Sequence, residues 1–181
     1  GRRFSPDVNI LNRPDVVAGR KQFGHWECDL IQFRKKYGKA NVTSLVERVS
    51  RFAVFLCNND RQSRPVMDGL IRVLQSLPHL ARRSITFDRG TEFTDWPYLQ
   101  AASEHRHGSA IRNRPGRKVL SKHQQTGQEM AFEEVNPLSL SDRDLTEICN
   151  HLNATPRKCL GYKTPAEVFR QKLLAQIRRT S

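Results

Sequence analysis

Residues 25–30 read HWECDL and residues 86–93 read TFDRGTEF, and these two phrases decide how the chain is expected to fold. Each phrase is strand-like, and each places one carboxylate, Asp29 or Asp88, at the end of an apolar run. Short apolar runs bounded by turn residues are typical of buried strands. The sequence therefore predicts two buried strands that each present an isolated acid.

The charge of the chain makes isolated acids unusual. Among 181 residues, Lys and Arg total 31 while Asp and Glu total 18, which gives a formal net charge of +13. Because the cations are spread along the chain, they favour a polyanionic partner such as DNA; the alternative is a generally basic surface. Two carboxylates beside a phosphodiester can hold divalent metal ions that activate an attacking oxygen and stabilise a leaving one. The composition therefore favours a metal-dependent enzyme that acts on DNA.

Length and residue types set further bounds. With 37% hydrophobic and 27% charged residues, the chain is expected to form one domain with its own core. No apolar run approaches the length of a membrane span, so no membrane partner is expected.

The four cysteines include no Cys-x-x-Cys pair, and they are expected to be reduced cytosolic thiols because no secretory signal precedes them. They are Cys28, Cys57, Cys149 and Cys159. Cys28 and Cys57 lie in apolar runs and are expected to be buried. His25 and His151 could join Cys28 and Cys149 in a zinc site, but the spacings match no common zinc site, and none is predicted.

Hydrophobic periodicity predicts a mixed α/β fold. Strands are expected over residues 26–33, 41–47, 52–57 and 84–87. Helices are expected over residues 63–77, from within 93–100, after Ser141 and after Thr164. The first three strands are spaced for an antiparallel meander, and the last two helices begin with capping pairs completed by Asp144 and Glu167.

The flanks and one internal segment lack these patterns. Residues 1–22 are predicted to be an arm or linker, residues 23–172 the folded core and residues 173–181 a basic tail. Within the core, residues 101–134 carry many cations, few apolar residues and no periodicity. Because such a composition buries too little apolar area to offset the entropy of ordering, we expect this insert to be the least ordered part of the fold and to touch DNA.

Four phrases of the chain resemble, in the correct order, the catalytic domain of bacterial insertion-sequence transposases of the IS-thirty type. FGHWECDLI at residues 23–31 resembles the family's G-H-W-E-G-D-L-I, and LVERVSRF at residues 45–52 resembles L-V-E-R-x-S-R-Y. TFDRGTEF at residues 86–93 is similar to T-x-D-N-G-x-E-F, and LNATPRKCLGYKTPAEVF at residues 152–169 is similar to L-N-x-R-P-R-K-x-L-G-x-x-T-P-x-E. Together these phrases frame nearly the whole chain.

The resemblance implies a ribonuclease-H-like integrase core, with a mixed five-stranded sheet, flanking helices and an Asp, Asp, Glu metal triad. Asp29 would be the first acid, on the first strand, and Asp88 the second, after the fourth, and both would bind Mg²⁺ or Mn²⁺. The alternative for Asp29 is a buried acid paired with an arginine, and for Asp88 a turn-capping residue before Gly90. Glu27 and Glu92 are expected to support the site rather than bind metal.

The resemblance also implies the substrate. Relatives of this type hydrolyse DNA at transposon ends and join the freed 3′ hydroxyl to target DNA, and the protein could act as a homo-oligomer. The cations expected to hold phosphates are Arg34, Lys35, Lys36, Lys39, Arg157 and Lys158, with those of residues 112–122. Recognition of specific ends lies, in the family, in an upstream helix-turn-helix region that has no counterpart in this sequence. Since the chain begins at Gly1 rather than Met, a segment is expected to precede it.

The third acid of the triad is missing from the sequence. After the second Asp the family continues near D-P-x-S-P-W-Q-x-G-x-x-E-N-x-N, whereas residues 109–125 read SAIRNRPGRKVLSKHQQ. Permitted codons for residues 110–116, read from the third base, encode D-P-Q-S-P-W, and those for residues 120–125 encode V-E-N-T-N. We therefore predict a frameshift that enters near residues 101–104, returns before residue 135, and disrupts the last strand and the catalytic helix. Glu129, Glu133 and Glu134 lie nearby, but none has the family's context, so no third catalytic acid is assigned.

The resemblance thus predicts a bacterial cytoplasmic, nucleoid-associated transposase catalytic domain for metal-dependent DNA cleavage and strand transfer, and the missing third acid predicts that this chain is inactive. Two alternatives remain open at this stage. One is a catalytically inactive remnant that still binds DNA or a transposase subunit, and the other is an unrelated basic nucleic-acid-binding protein.

Overall fold

The structure, a computed structural model, describes residues 21–33, 40–60, 62–87, 93–107, 111–115 and 136–180. Its strands are β1 (His25–Gln32), β2 (Asn41–Glu47), β3 (Ala53–Asn58), β4 (Ser84–Phe87) and β5 (Arg112–Pro115). Its helices are α1 (Ser63–Leu74), α2 (Trp96–His107), α3 (Asp142–Ala154) and α4 (Pro165–Thr180). Short 3₁₀ turns occupy His79–Ala81, Pro137–Ser139 and Lys158–Leu160. None of the helices in these ranges has the length and apolar character that a membrane crossing requires.

The five strands form one mixed sheet in the order β3-β2-β1-β4-β5. The pairs β1–β2 and β2–β3 are antiparallel, so the predicted meander is confirmed. The pairs β1–β4 and β4–β5 are parallel, because α1 and α2 carry the chain back before each new strand. The strand that carries Asp29 is therefore the centre of the sheet, with two strands on each side.

The main core lies on one face of the sheet. Trp26, Cys28 and Leu30 alternate along β1 and pack in one cluster with buried residues of α1 such as Met67 and Leu70. Successive strand residues point to opposite faces, so the residues between them, including Asp29, belong to the other face. That second face is covered in part by α3, where Leu145 packs with Val42, Ala53 and Phe55.

Helix α4 is anchored by a group of aromatic rings around Phe169. The Phe169 ring lies 5.2 Å from that of Phe23, 5.9 Å from that of Trp26 and 4.6 Å from that of Phe52, measured between centroids. Aromatic pairs at such distances add to the stability that burial provides. The closing phrase of the sequence is thus packed directly on the opening phrase.

Gly24 is required by a close approach between two backbone segments. Its φ is +93°, and a Cβ at this position would overlap the carbonyl oxygen of Leu80. Its carbonyl oxygen accepts a hydrogen bond of 2.7 Å from Arg83 N. A side chain at residue 24 would therefore separate the start of β1 from the segment that leads into β4.

Several expectations for the weakly patterned segments are wrong. Helix α2 continues to His107, and β5 pairs in parallel with β4, so residues 101–107 and 112–115 are regular structure and the last strand is formed. Ile111 is buried in the main core, and its N–H donates to Ser103 Oγ at 2.9 Å. Residues 108–110 and 116–134 lie outside the described residues, as does most of the predicted N-terminal arm.

The last helix, α4, extends into the segment that was predicted to be a basic tail. Helix α4 runs without a break from Pro165 to Thr180, across the predicted boundary between residues 172 and 173. Leu173 still packs against the main core. Most of the segment expected to be a basic tail is therefore the last part of α4.

Candidate active site

Asp29 lies near the middle of the central strand and is exposed. Its neighbours in β1, Cys28 and Leu30, are buried in the main core on the opposite face. One carboxylate oxygen, Oδ1, accepts a hydrogen bond of 2.7 Å from Leu30 N. The interpretation of Asp29 as a buried acid is wrong, because this carboxylate is presented to solvent on an otherwise well-packed sheet.

Asp88 lies outside the described residues. The residue before it, Phe87, is the last of β4 and pairs in parallel with Cys28, which is the residue before Asp29. Strands β1 and β4 are therefore adjacent, and they pair in register up to Cys28 and Phe87. Each of these two residues immediately precedes one of the two acids in the sequence. Two phrases that lie far apart in the sequence are brought side by side by this pairing.

Asp29, Glu27, Ser44 and Thr86 are polar residues on one face of the sheet, and we call these four the acidic face. Asp29 is paired with Ser44 of β2, while Glu27 is paired on its other side with Thr86 of β4. Cross-strand partners point to the same side of a sheet. Ser44 and Thr86 are buried, whereas the Glu27 side chain is 40% exposed. Two carboxylates flanked by two hydroxyl groups are therefore available on one surface.

A buried arginine lies against the acidic face. Arg48 Nε is 3.3 Å from Glu27 Oε1, and the Arg48 side chain is only 4% exposed. The contact is an ion pair without the geometry of a hydrogen bond, and Nε and Nη1 of Arg48 have no hydrogen-bond partner among the described residues. A buried guanidinium is costly unless an anion compensates it, so Glu27 stabilises Arg48 while it contributes to the acidic face.

Glu47 has a different role from the acids of the acidic face. Its carboxylate is fully buried and accepts hydrogen bonds from Gly24 N (3.0 Å), Val49 N (3.1 Å), Ser50 N (2.7 Å) and Ser50 Oγ (2.7 Å). Burial raises the pKa of Glu47 above its ordinary value, and the hydrogen bonds from Ser50, Gly24 and Val49 act in the opposite direction. Glu47 therefore fastens the turn after β2 to the start of β1.

Sequence reasoning missed Arg48, Ser44 and Thr86 as members of the site. Their phrases belong to predicted strands or follow them, but only strand register shows which polar residue stands beside Asp29. A hydroxyl residue in a strand gives no signal of its own, since Ser and Thr also fill ordinary strand positions.

The cations predicted to bind DNA are only partly described. Four of them lie outside the described residues, and their contact with DNA phosphates stays a prediction: Arg34, Lys35, Lys36 and Lys39. Arg157 and Lys158 lie in the loop between α3 and α4, where Lys158 is exposed and Arg157 is half-buried. Helix α3, which precedes this loop, packs on β3 on the face of the sheet that carries Asp29.

The described residues include all four cysteines and several other residues of metal-binding type. Within the described ranges, no three His, Cys, Asp or Glu side chains come together as a metal-binding group. All four cysteines are free, and Cys28 is buried as expected. Cys57 is exposed, so the expectation that it is buried is wrong, because it lies near the end of edge strand β3.

A five-stranded mixed sheet with an acid on its central strand defines an α/β core of the integrase type. The chain belongs to the integrase core domain family, whose model matches residues 19–163. This confirms the resemblance to insertion-sequence transposases and the ribonuclease-H-like fold class.

Similar proteins include two transposases. The chain is 31% identical over 170 residues to the transposase for insertion sequence element IS1086 of Cupriavidus metallidurans, over 93% of this chain and 50% of the relative. It is 26% identical over 186 residues to transposase InsI for IS30C of Escherichia coli, over 90% and 43%. The chain thus spans about half the length of the curated relatives it matches.

A solved structure supports the fold. It is a cryoEM structure of the simian T-cell lymphotropic virus intasome in complex with PP2A regulatory subunit B56 gamma. The TM-score is 0.57 at 17% identity, over 80% of this chain and 54% of that chain. At this identity the likeness concerns the fold alone.

Proposed function

We propose that this chain is the catalytic core of an insertion-sequence transposase that still binds DNA but no longer cleaves it. The observation that carries the proposal is the exposed carboxylate of Asp29 on the central strand, beside a strand that leads directly into Asp88. Family membership removes the alternative of an unrelated basic protein. The proposed substrates are transposon ends and target DNA, with a second copy of the chain as a possible partner.

Asp29 and Asp88 are the proposed metal ligands. Asp88 follows Phe87 as Asp29 follows Cys28, and Cys28 and Phe87 are parallel partners. Neighbouring strands lie about 4.8 Å apart, and carboxylate oxygens bind Mg²⁺ at about 2.1 Å, so acids at matching positions of two such strands are within reach of one ion. Carboxylate oxygens are also the ligands that Mg²⁺ and Mn²⁺ prefer. Bound there, the ion would supply Lewis-acid activation of a phosphodiester.

The exposure of Asp29 fits this role better than a structural one. A carboxylate that serves the fold is normally enclosed by its donors, as Glu47 is. Asp29 is instead exposed, on the same face of the sheet as Glu27 and the buried Ser44 and Thr86. Glu27, held by Arg48, is proposed to position the acidic face rather than to bind metal.

Loss of cleavage follows from the missing third acid. No phrase in the sequence matches the family's E-N-x-N, and none of Glu129, Glu133 or Glu134 has its context. Two-metal chemistry requires ligands for both ions, so that attacking and leaving oxygens are held together. With two acids only, the site is proposed to hold metal without supporting phosphoryl transfer.

DNA binding is proposed to survive because it depends on charge rather than on the triad. The net charge of +13 favours contact with phosphates, and Lys158 is an exposed contributor. Such binding is expected to weaken steeply with salt and to show little preference for sequence.

The test compares this chain with one encoded by the restored reading frame. Both are incubated with supercoiled plasmid in Mg²⁺ or Mn²⁺, and DNA binding is measured in parallel. The present chain is expected to bind without nicking, while the restored chain nicks the plasmid and loses that activity on Asp29→Ala. Nicking by the present chain that disappears on Asp29→Ala would contradict the proposed inactivity, and failure to bind DNA would contradict the proposed substrate.

A further inference from the structure

The loop between α3 and α4, residues 155–164, presents an exposed aromatic ring among cations, and we call it the Tyr162 loop. Tyr162 is 71% exposed, more than any other large hydrophobic residue of the described part. Lys158 and Lys163 are exposed in the same loop, and no acid occurs from residue 155 to residue 166. Lys163 Nζ donates to the neutral Gln171 Oε1 at 3.4 Å, and its charge also acts on the exposed Glu167 carboxylate at the start of α4.

The Tyr162 loop is held in a single shape by its own backbone. Arg157 N donates to Lys163 O at 3.0 Å, and Tyr162 N donates to Arg157 O at 3.0 Å, which closes the loop at both sides. Gly161 N also donates to Lys158 O at 3.1 Å. Because the backbone is fixed, the ring can be contacted by a ligand with little further loss of conformational entropy.

The conformation of Tyr162 is unusual for a tyrosine. Its φ is +65°, directly after Gly161 at +63°. Residues other than glycine rarely adopt the left-handed region, and a bulky side chain does so at a cost. The exposed ring buries little surface in return, so packing does not explain why an aromatic residue stands here. Strained residues that serve no packing role are candidates for ligand contacts.

We propose that Tyr162 is a stacking platform for an unpaired DNA base, with Lys158 and Lys163 holding the phosphates on either side. Aromatic rings stack on any base, and neighbouring cations follow the backbone, which gives affinity without sequence preference. The ligand is an unpaired strand because a paired base does not offer its face to a side chain. This inference rests on the proposed binding of DNA and names the form of DNA that this loop takes.

The experiment uses a single-stranded oligonucleotide that carries 2-aminopurine, whose fluorescence reports stacking, and a duplex of the same sequence. Affinity and fluorescence are measured for the full chain, for Tyr162→Ala, for Tyr162→Phe and for the control Ile177→Ala, which removes another exposed apolar side chain. Tyr162→Ala is expected to bind the single strand roughly 10-fold more weakly and to lose the fluorescence change. Tyr162→Phe and Ile177→Ala are expected to match the wild type.

Salt dependence separates stacking from charge. Tyr162→Ala is expected to keep the wild-type slope of affinity against salt, whereas Lys163→Gln is expected to reduce that slope. Thermal unfolding confirms that each variant folds. Unchanged single-strand affinity and fluorescence in Tyr162→Ala would overturn the platform but leave DNA binding by the chain intact. Absence of DNA binding by the wild type would overturn both, and a change only in self-association would assign Tyr162 to a protein interface instead.

Discussion

The side-chain amide of Asn153 pairs with both backbone groups of Ala53. Asn153 Oδ1 accepts from Ala53 N at 2.9 Å, and Asn153 Nδ2 donates to Ala53 O at 2.8 Å. Ala53 begins the edge strand β3, so the amide of one residue on α3 takes the place that a further strand would occupy. Unpaired edges invite association with other chains, and Asn153 satisfies this edge at Ala53 while it fixes the helix to the sheet.

Replacing Asn153 by alanine should destabilise the protein by about 2–4 kcal/mol, since it removes two hydrogen bonds and leaves two buried backbone groups unsatisfied. Chemical denaturation measures the change. Asn150→Ala, at an exposed position of the same helix, is the control and should change the free energy of unfolding little. Equal effects of the two substitutions would show that the pairing contributes nothing.

Gly24→Ala should destabilise the protein by more than about 2 kcal/mol, because it adds a Cβ to a left-handed residue that is in contact with the Leu80 carbonyl. Gly161→Ala is a matched control, because Gly161 has a similar backbone but no atom within 4 Å of the added carbon. Its substitution should cost about 1 kcal/mol. Thermal or urea unfolding measures the loss of stability in the two variants. A larger loss of stability for Gly161→Ala than for Gly24→Ala would contradict the close approach at Gly24.

Phe169→Ala should cost about 3–5 kcal/mol, since Phe169 is buried among three aromatic rings. Leu174→Ala, five residues further along α4 and 45% exposed, provides a control that should cost far less. If the two variants unfold at the same denaturant concentration, α4 is not anchored through Phe169.

The buried carboxylate of Glu47 predicts a pH dependence of stability. Burial raises the pKa of Glu47 above the ordinary value of 4.5, so the folded state holds this proton more strongly than the unfolded state does. The stabilisation that comes from protonated Glu47 is fully present below pH 4.5, and it is lost as the pH rises through the pKa of Glu47 in the folded state.

Glu47→Gln should therefore remove this pH-dependent loss, although it also weakens the hydrogen bonds from Ser50. Urea unfolding of the wild type and the variant at a series of pH values gives the difference in free energy. The free energy of unfolding of the wild type minus that of Glu47→Gln should fall as the pH rises above 4.5. A value that rises with pH would mean that the hydrogen bonds outweigh burial.

Much of the fold could be predicted because local signals agreed with the final packing. The capping box of Ser141 and Asp144 is present at the start of α3, and Thr164 and Glu167 form the same reciprocal pair before α4. Both are set by residues three apart, which the sequence displays directly. The strands around Asp29 were similarly readable from their apolar runs.

The remaining elements depend on contacts that no local pattern displays. Ile111, next to β5, is buried only because β5 pairs with β4 and α2 lies nearby, while the sequence around it is basic. The acidic face likewise depends on the register that sets Ser44 beside Asp29 and Thr86 beside Glu27. Register is a tertiary property, so the partners of Asp29 could not be predicted from the sequence around it.

The central claim is that Asp29 and Asp88 share one divalent cation. Titration of the protein with Mn²⁺, monitored by electron paramagnetic resonance, tests this claim directly. The wild type should bind one Mn²⁺ that Mg²⁺ displaces, and Asp29→Asn and Asp88→Asn should each abolish that binding, because either acid alone is a weak ligand. Glu147→Gln, at an exposed acid of α3, should bind as the wild type does. Binding that survives both Asp29→Asn and Asp88→Asn would contradict the claim.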